Sequence, residues 1–200
     1  MSRHCSRPLL FVACLLLAAA AQAANVEVQL LDRNGQPLAD AVTFLESAAA
    51  RAAVKPAPGI EIEQADKRFT HRVTVVPLGS AVRFPNRDKV RHHVYSFSPV
   101  KTFELKLYTG TPANPVTFER SGIAVLGCNI HDNMVAWVVV VETPYFGQST
   151  RSGQVRLDDV PPGSYRLRAW HPDLPPGAPA LDQALVVGAQ GGKASVRLPV

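Results

Sequence analysis

Three side chains that bind soft metal ions occupy one short stretch of this 200-residue sequence. Cys128, His131 and Met134 follow one another at intervals of three residues, so a thiolate, an imidazole and a thioether lie close together. Thiolate and thioether groups favour Cu(I), and imidazole binds copper in both oxidation states. The spacing predicts a copper site, which a second imidazole would complete as a two-His, one-Cys set with a weak axial Met.

The second imidazole is expected from His92 or His93, which begin a predicted strand upstream of the loop. Neighbouring residues of a strand point to opposite faces of the sheet. We therefore expect one of the two rings to face the metal and the other to pack or meet solvent. The sequence leaves open which ring does so.

Other uses of Cys128 fit the sequence less well. Zinc prefers closed tetrahedral sets of Cys and His and rarely takes Met. A Cys nucleophile activated by His131 would need an orienting or oxyanion-binding group, and the sequence shows none nearby. Covalent haem attachment needs a second Cys directly before the His. Packing of a lone Cys in the core is the remaining alternative.

The first 23 residues have the pattern of an export signal. Arg3 and Arg7 precede an apolar run that ends in the small-residue triplet 21–23, where cleavage after Ala23 is expected. The apolar run is shorter than the roughly 20 residues that a membrane span needs. We expect a periplasmic mature protein without a membrane span.

Cysteine usage supports a metal role for Cys128. Cys5 and Cys14 would leave with the signal, so the mature chain would keep one thiol and could form no internal disulfide. An unpaired Cys in an oxidising compartment is a liability unless it is buried, metal-bound or catalytic.

The charge of the mature chain is modest. Removing Arg3 and Arg7 lowers the formal net charge from +5 to +3, which gives no reason to expect nucleic-acid binding. Basic residues do crowd the segment around His92, where they form either a solvated face or a docking patch for an acidic redox partner. They are Arg83, Arg87, Lys89, Arg91, Lys101 and Lys106.

Composition and periodicity predict an all-β chain. The apolar fraction of 46% can bury a core, and 17 Pro and 13 Gly separate short Val-rich runs, which favours strands over long helices. The spacing of the central runs is that of a Greek-key sandwich. These runs are 60–64, 73–76, 81–84, 93–97, 103–108, 116–118, 123–127 and 135–141.

The two ends of the chain carry further strand patterns. Residues 26–31 and 41–45 flank an Asp-Arg-Asn-Gly turn and predict a hairpin, followed by a helical turn at 48–53. The tail is too small for an independent core, so we expect it to borrow strands from elsewhere. Its predicted strands are 154–157, 165–170, 184–187 and 194–198.

The segment from about Pro58 to Thr143 resembles the cupredoxins, of the plastocyanin and amicyanin type. Taken whole, the chain resembles bacterial plastocyanin-like proteins labelled methylamine-utilisation proteins. The resemblance lies in the strand-turn-strand segment 73–86, the step into His92-His93-Val94 and the short Cys-x-x-His-x-x-Met loop. It implies one type 1 copper ion with His92, Cys128 and His131 as equatorial ligands and Met134 as the axial ligand. His93 stands where cupredoxins usually have an Asn that ties the two ligand loops together.

The ends resemble carboxypeptidase regulatory-like, or transthyretin-like, domains. Residues 26–45 are similar to their opening hairpin, and residues 155–167, with a Val-Pro-Pro-Gly turn, are similar to later strands. The resemblance implies an all-β organisation in which a cupredoxin Greek-key sandwich is inserted into a small transthyretin-like sandwich formed by both termini. The expected segments are a signal peptide at 1–23, flanking parts at 24–55 and 144–200, and the copper domain at 56–143.

Three functions remain open on the sequence. The first is a periplasmic electron carrier, a non-enzymatic role that fits a single metal site, in which Met134 tunes the potential and His131 is the exposed ligand. The second is copper binding or delivery as Cu(I) through the same ligands. The third is adhesion or carbohydrate binding by the flanking unit, independent of Cys128.

Overall fold

The computed structural model describes residues 24–200, and the predicted signal peptide at 1–23 lies outside the described residues. Strands dominate, which confirms the all-β expectation. The first half contains β1 (Ala24–Leu31), β2 (Val42–Glu46), α1 (Ala48–Ala53), β3 (Ile60–Glu61), β4 (Gln64–Ala65), β5 (Arg68–Phe69), β6 (Val73–Pro77), β7 (Ala81–Arg83), β8 (His92–Ser98) and β9 (Lys101–Tyr108). The second half contains β10 (Val116–Thr117), β11 (Gly122–Cys128), β12 (Val135–Val141), β13 (Phe146–Gln148), β14 (Gln154–Val160), β15 (Gly163–Trp170), β16 (Leu181–Val187) and β17 (Gly192–Arg197).

The central strands form a sandwich around one apolar core. A five-stranded sheet in the order β6-β12-β11-β8-β9 lies over a three-stranded sheet in the order β10-β7-β3. Phe84 and Phe118 follow strands of the smaller sheet and share a buried cluster with Leu126 and Val138 of the larger sheet. This core places the ends of β8, β11 and β12 side by side, and these ends carry the predicted metal ligands.

The strands at the two ends of the described chain pair with one another. β1 lies between β14 and β17, and β2 lies between β13 and β15, with β16 at the edge of the second sheet. Val26, Val28 and Leu30 point inward from β1 and belong to one buried cluster with Leu45 and Leu167. The tail thus pairs with strands from the start of the chain, in line with the expectation that it borrows strands from elsewhere.

The predicted hairpin at 26–45 is wrong, because β1 and β2 lie in different sheets. The Asp32 turn closes only one isolated bridge, between Leu31 and Pro37, before the chain crosses to the other sheet. Each strand already has a partner on both edges, so neither has free backbone groups for the other. Local turn chemistry predicted the turn correctly and the strand pairing incorrectly.

The predicted helical turn at 48–53 is present as α1. Its N-cap is Ser47, whose hydroxyl accepts a hydrogen bond from the backbone amide of Ala50 at 3.0 Å. Across residues 24–200, no helix has the length and apolar character needed to cross a membrane.

Candidate metal centre

Cys128 and His131 face each other across the loop that joins β11 to β12. The last pair of the β11–β12 ladder is Gly127 with Val135, so the intervening residues form a closed turn, and the backbone amide of Met134 donates to the carbonyl of His131 at 3.0 Å. Sγ of Cys128 lies 3.8 Å from Nδ1 of His131. In metal sites a thiolate sulfur lies about 2.3 Å and an imidazole nitrogen about 2.0 Å from the ion. At an angle of about 120° between the two bonds, the sulfur and the nitrogen are about 3.8 Å apart. The pair is thus spaced as two ligands of a common metal ion would be.

His92 faces this pair, whereas His93 points to the other side of β8. The ring of His92 is fully buried and meets the ring of His131 edge-on, with 5.1 Å between the ring centroids. His93 instead packs against Tyr95, at 6.1 Å between centroids, and its Nε2 lies 3.8 Å from a carboxylate oxygen of Glu104. Strand alternation therefore separates the two imidazoles as the sequence predicted.

Backbone pairing ties the two ligand-bearing segments together. Cys128 pairs with Val94 in the β8–β11 ladder, and the amide of Asn129 donates to the carbonyl of His93 at 3.2 Å. The segments therefore stay in register although His93 replaces the expected Asn.

Met134 and Cys128 both belong to the apolar core of the central sandwich. Met134 is 1% exposed and Cys128 is 6% exposed, and Cys128 is a free thiol. Buried surroundings of this kind exclude water from a bound ion and limit ligand exchange.

The predicted ligands do not form a closed set. Within residues 24–200, no three or more His, Cys, Asp and Glu side chains are grouped closely enough to hold a metal ion. The structure brings Cys128 and His131 together and places His92 in ring contact with His131. Nε2 of His92 is buried without a hydrogen-bond partner, so one polar atom of this ring is unsatisfied. These donor types fit copper, and metal binding by these residues stays a prediction.

Two residues that sequence reasoning missed flank the ring of His92. Oε1 of Gln64 lies 3.0 Å from Nδ1, and Oδ2 of Asp88 lies 3.2 Å from Nε2. The second contact is close, but its geometry is not that of a hydrogen bond, so Nε2 has no hydrogen-bond partner. Burial lowers the pKa of His92, opposed by the charge of Asp88 and reinforced by His131, so the ring favours its neutral form.

Asn86 organises the loop that leads into His92. Its buried side chain donates to the carbonyls of Val90 and Tyr108, each at 2.9 Å, and its Oδ1 accepts from the amide of Asp88 at 2.9 Å. Local sequence pattern does not reveal this role of Asn86, because its bond to Tyr108 spans 22 positions.

Tyr108 supports the same region from β9. Its hydroxyl donates to the carbonyl of Phe84 at 2.9 Å, and burial raises the pKa of Tyr108 to about 12. The hydroxyl therefore stays protonated as a fixed donor at every physiological pH.

Large apolar side chains are exposed close in sequence to the candidate ligands. Four of them are 41–52% exposed. They are Val90, Leu107, Ile130 and Val135.

The two remaining imidazoles in the described chain have other surroundings. His71 is exposed, and His171 is buried with a hydrogen bond to the carbonyl of Ala39 at 3.1 Å. Trp137 and Trp170 pack against each other with ring centroids 6.5 Å apart.

No protein-family model and no curated protein sequence matches this chain. Among solved structures, it is similar to a reduced Cu(I) form of an amicyanin variant at pH 4, with 22% identity, a TM-score of 0.38, and coverage of 50% of this chain and 98% of that chain. A second amicyanin variant in the reduced state has 24% identity and a TM-score of 0.37, with the same coverage. A copper-containing nitrite reductase from Thermus scotoductus SA-01 has 18% identity and a TM-score of 0.39, covering 56% of this chain and 28% of that chain.

Proposed function

We propose that this protein is a periplasmic type 1 copper protein that carries single electrons between redox partners. The observation that carries the proposal is the 3.8 Å separation between Sγ of Cys128 and Nδ1 of His131, with the buried ring of His92 set edge-on against His131. A thiolate and two imidazoles in contact, with a buried thioether in the same core, form the donor set of such a centre.

His92, Cys128, His131 and Met134 are the residues that would hold the ion. Copper bound there would supply the one-electron Cu(II)/Cu(I) couple. The chain's own contribution is rigidity, because three ligands come from a short loop braced by β11 and β12 and the fourth from the paired strand β8. A fixed ligand set limits the rearrangement that accompanies each electron transfer.

Asp88 is placed to orient His92. When one ring nitrogen of an imidazole binds a metal, the other usually carries the N–H and donates it to a carboxylate or a carbonyl. This contact fixes the orientation of the ring and its tautomer. Asp88 Oδ2 lies 3.2 Å from Nε2, and the same carboxylate accepts from the backbone amides of Asp66 and Lys67 at 2.8 and 2.9 Å. A carboxylate that is itself held in place restricts the ring it faces.

Burial of the donors favours an electron carrier over a copper-delivery protein. His92, Cys128 and Met134 are 0%, 6% and 1% exposed, so an acceptor protein has little access to the ligands it would need to replace. Electron transfer needs no ligand exchange. It needs a partner close to one ligand edge, and partly exposed His131 offers that edge.

The surface suggests what kind of partner would bind there. Exposed Val90 and Ile130 provide apolar contact area, and Lys89 and Arg91 are exposed on either side of Val90. We propose an acidic redox partner, since opposite charges would speed association and orient the two proteins. The periplasmic location rests on the sequence pattern of residues 1–23.

The test is to express the full chain with its own signal, isolate it from the periplasm without metal and titrate it with Cu(II). We expect cleavage after Ala23 by mass spectrometry, one copper per chain, an intense visible absorption band, and reversible loss of the band on reduction. A colourless protein that passes Cu(I) to a chelator would contradict electron carriage and indicate delivery. Preferential binding of zinc would contradict both.

A further inference from the structure

Gln64 is a fully buried amide beside the candidate metal centre, and its backbone is held on both sides. Its backbone N–H donates to the backbone carbonyl of Pro85 at 2.9 Å, and its backbone carbonyl accepts from the backbone N–H of Arg87 at 2.8 Å. A buried carboxamide needs partners for two N–H groups and one oxygen, so its orientation can be deduced from its neighbours.

The NH₂ end of Gln64 is identified by the acceptors around it. Nε2 lies 2.6 Å from the hydroxyl oxygen of Tyr108, 3.2 Å from the carbonyl of Phe84 and 3.4 Å from the carbonyl of Pro85. The Tyr108 hydroxyl uses its own hydrogen on Phe84, so its oxygen must accept from Gln64. Oε1 is therefore the atom that points at Nδ1 of His92, 3.0 Å away.

This orientation places His92 between two oxygens. Oε1 of Gln64 faces Nδ1, and Oδ2 of Asp88 faces Nε2 at 3.2 Å. A neutral imidazole has one N–H and one unprotonated nitrogen, so the lone pair of the unprotonated nitrogen is directed at an oxygen. A cation shared by Nδ1 and Oε1 removes that conflict, since both atoms would then donate to it and Nε2–H would be free to face Asp88.

We propose that Gln64 is an additional copper ligand, which binds through Oε1 on the His92 side of the centre; this rests on the copper function proposed above. Two donors at about 2.0–2.2 Å from one ion and at a right angle to each other lie about 3 Å apart. The separation of Nδ1 and Oε1 has that value, whereas Cys128 and His131 have the wider spacing of a trigonal pair. Gln64 Oε1 would therefore hold the ion together with Nδ1 of His92.

An amide oxygen would have a defined effect on the copper. Oxygen is a harder donor than the thioether of Met134 and favours Cu(II) over Cu(I). Gln64 would therefore lower the reduction potential. A residue that only positions His92 through a hydrogen bond would not add an oxygen donor to the Cu(II) spectrum.

The test compares Gln64→Leu, which removes the oxygen at similar size, with Gln64→Glu, which keeps an oxygen and adds charge. Both are made in the full chain and measured by the electron paramagnetic resonance spectrum of Cu(II), the reduction potential, and competition titrations with Cu(II) and Cu(I). For Gln64→Leu we expect a changed Cu(II) spectrum, a higher potential and about tenfold weaker Cu(II) binding, with Cu(I) affinity kept. For Gln64→Glu we expect a lower potential and tighter Cu(II) binding.

Equal losses of Cu(I) and Cu(II) affinity in Gln64→Leu, or a spectrum and potential identical to those of the unmodified protein, would overturn the assignment. If Gln64→Leu does not fold, the potential of Gln64→Glu decides, because an unchanged value contradicts a ligand at this position. If the unmodified protein binds copper with an intense visible band and both variants behave identically to it, only the role of Gln64 is refuted. The proposed copper function then remains. An unmodified protein that binds no copper refutes both.

Discussion

Sγ of Cys128 lies 3.8 Å from Nδ1 of His131, across a loop that contains only two residues between them. The loop is braced by the last β11–β12 pair, which fixes where the backbone of this loop begins and ends. The thiolate is the donor from which the intense visible band of a copper–sulfur centre arises.

Replacing Cys128 by Ser should abolish the visible band and weaken Cu(II) binding by at least about tenfold, because the hydroxyl is a poor substitute for a soft thiolate. Absorption and competition titration of the purified protein measure both effects. The matched control is Asn129→Ser, an exposed change in the same loop, which should leave the band in place. A visible band that persists in Cys128→Ser would show that the sulfur is not a ligand.

His92 and His93 offer a matched pair on opposite faces of one strand. His92→Ala should lower Cu(II) affinity by at least about tenfold, since loss of a ligand costs no less than loss of a residue that supports one. His93→Ala should keep the affinity within about twofold, because its ring packs with Tyr95 outside the centre. Isothermal titration of both variants with Cu(II) measures the difference. A larger loss of Cu(II) affinity in His93→Ala than in His92→Ala would show that His93 is the ligand.

Stability of the metal-free protein should fall in mild acid, in part through His171. Its Nε2 donates to the carbonyl of Ala39 and its Nδ1 accepts from the amide of Asp173, each at 3.1 Å, which uses the neutral ring fully. Burial lowers the pKa of His171 below its usual 6.5, with the charge of Asp173 opposing. The stabilisation is therefore complete above pH 6.5 and is lost as pH falls from 6.5 through the lowered value of the folded state.

Urea unfolding between about pH 7.5 and about pH 5.5 measures this effect. His171→Gln keeps a donor for Ala39 and cannot be protonated, so its free energy of unfolding should depend less on pH below 6.5. The matched control is exposed His71→Gln, which should retain the slope of the unmodified protein. Parallel slopes in His171→Gln and the unmodified protein would refute the role of His171.

Gly153 and Gly177 test how tightly the C-terminal strands join β1. Both have a positive φ, +73° and +78°, so an Ala at either position costs about 1–2 kcal/mol of backbone strain. A Cβ at Gly153 would also lie 2.3 Å from the carbonyl oxygen of Leu30 in β1, whereas one at Gly177 would meet nothing within 4 Å. Gly153→Ala should therefore cost a further roughly 1–3 kcal/mol in the free energy of unfolding. Equal losses in the two variants would mean that the turn at 153 can move away from β1.

Much of the fold could be predicted from local pattern. Alternation in β8 and the apolar run of β12 are properties of adjacent residues, and so is the capped turn at α1. The two short strands β5 and β13 were missed because two or three residues are too few to show a period. The pairing of β1 with β14 and β17, in place of β2, depends on which edges are free in the folded chain.

The sequence by itself determined the donor types of the candidate centre, because Cys128, His131 and Met134 lie within one loop whose length limits how far apart they can be. Only the tertiary structure decided that His92 faces this loop while His93 does not, and that Gln64, 28 positions away, directs its oxygen at the ring. The physical reason is that these contacts join strands distant along the chain. The register of these strands and the buried hydrogen bonds of the Gln64 side chain are set by packing of the whole sandwich. They cannot be predicted from the spacing of residues along the chain.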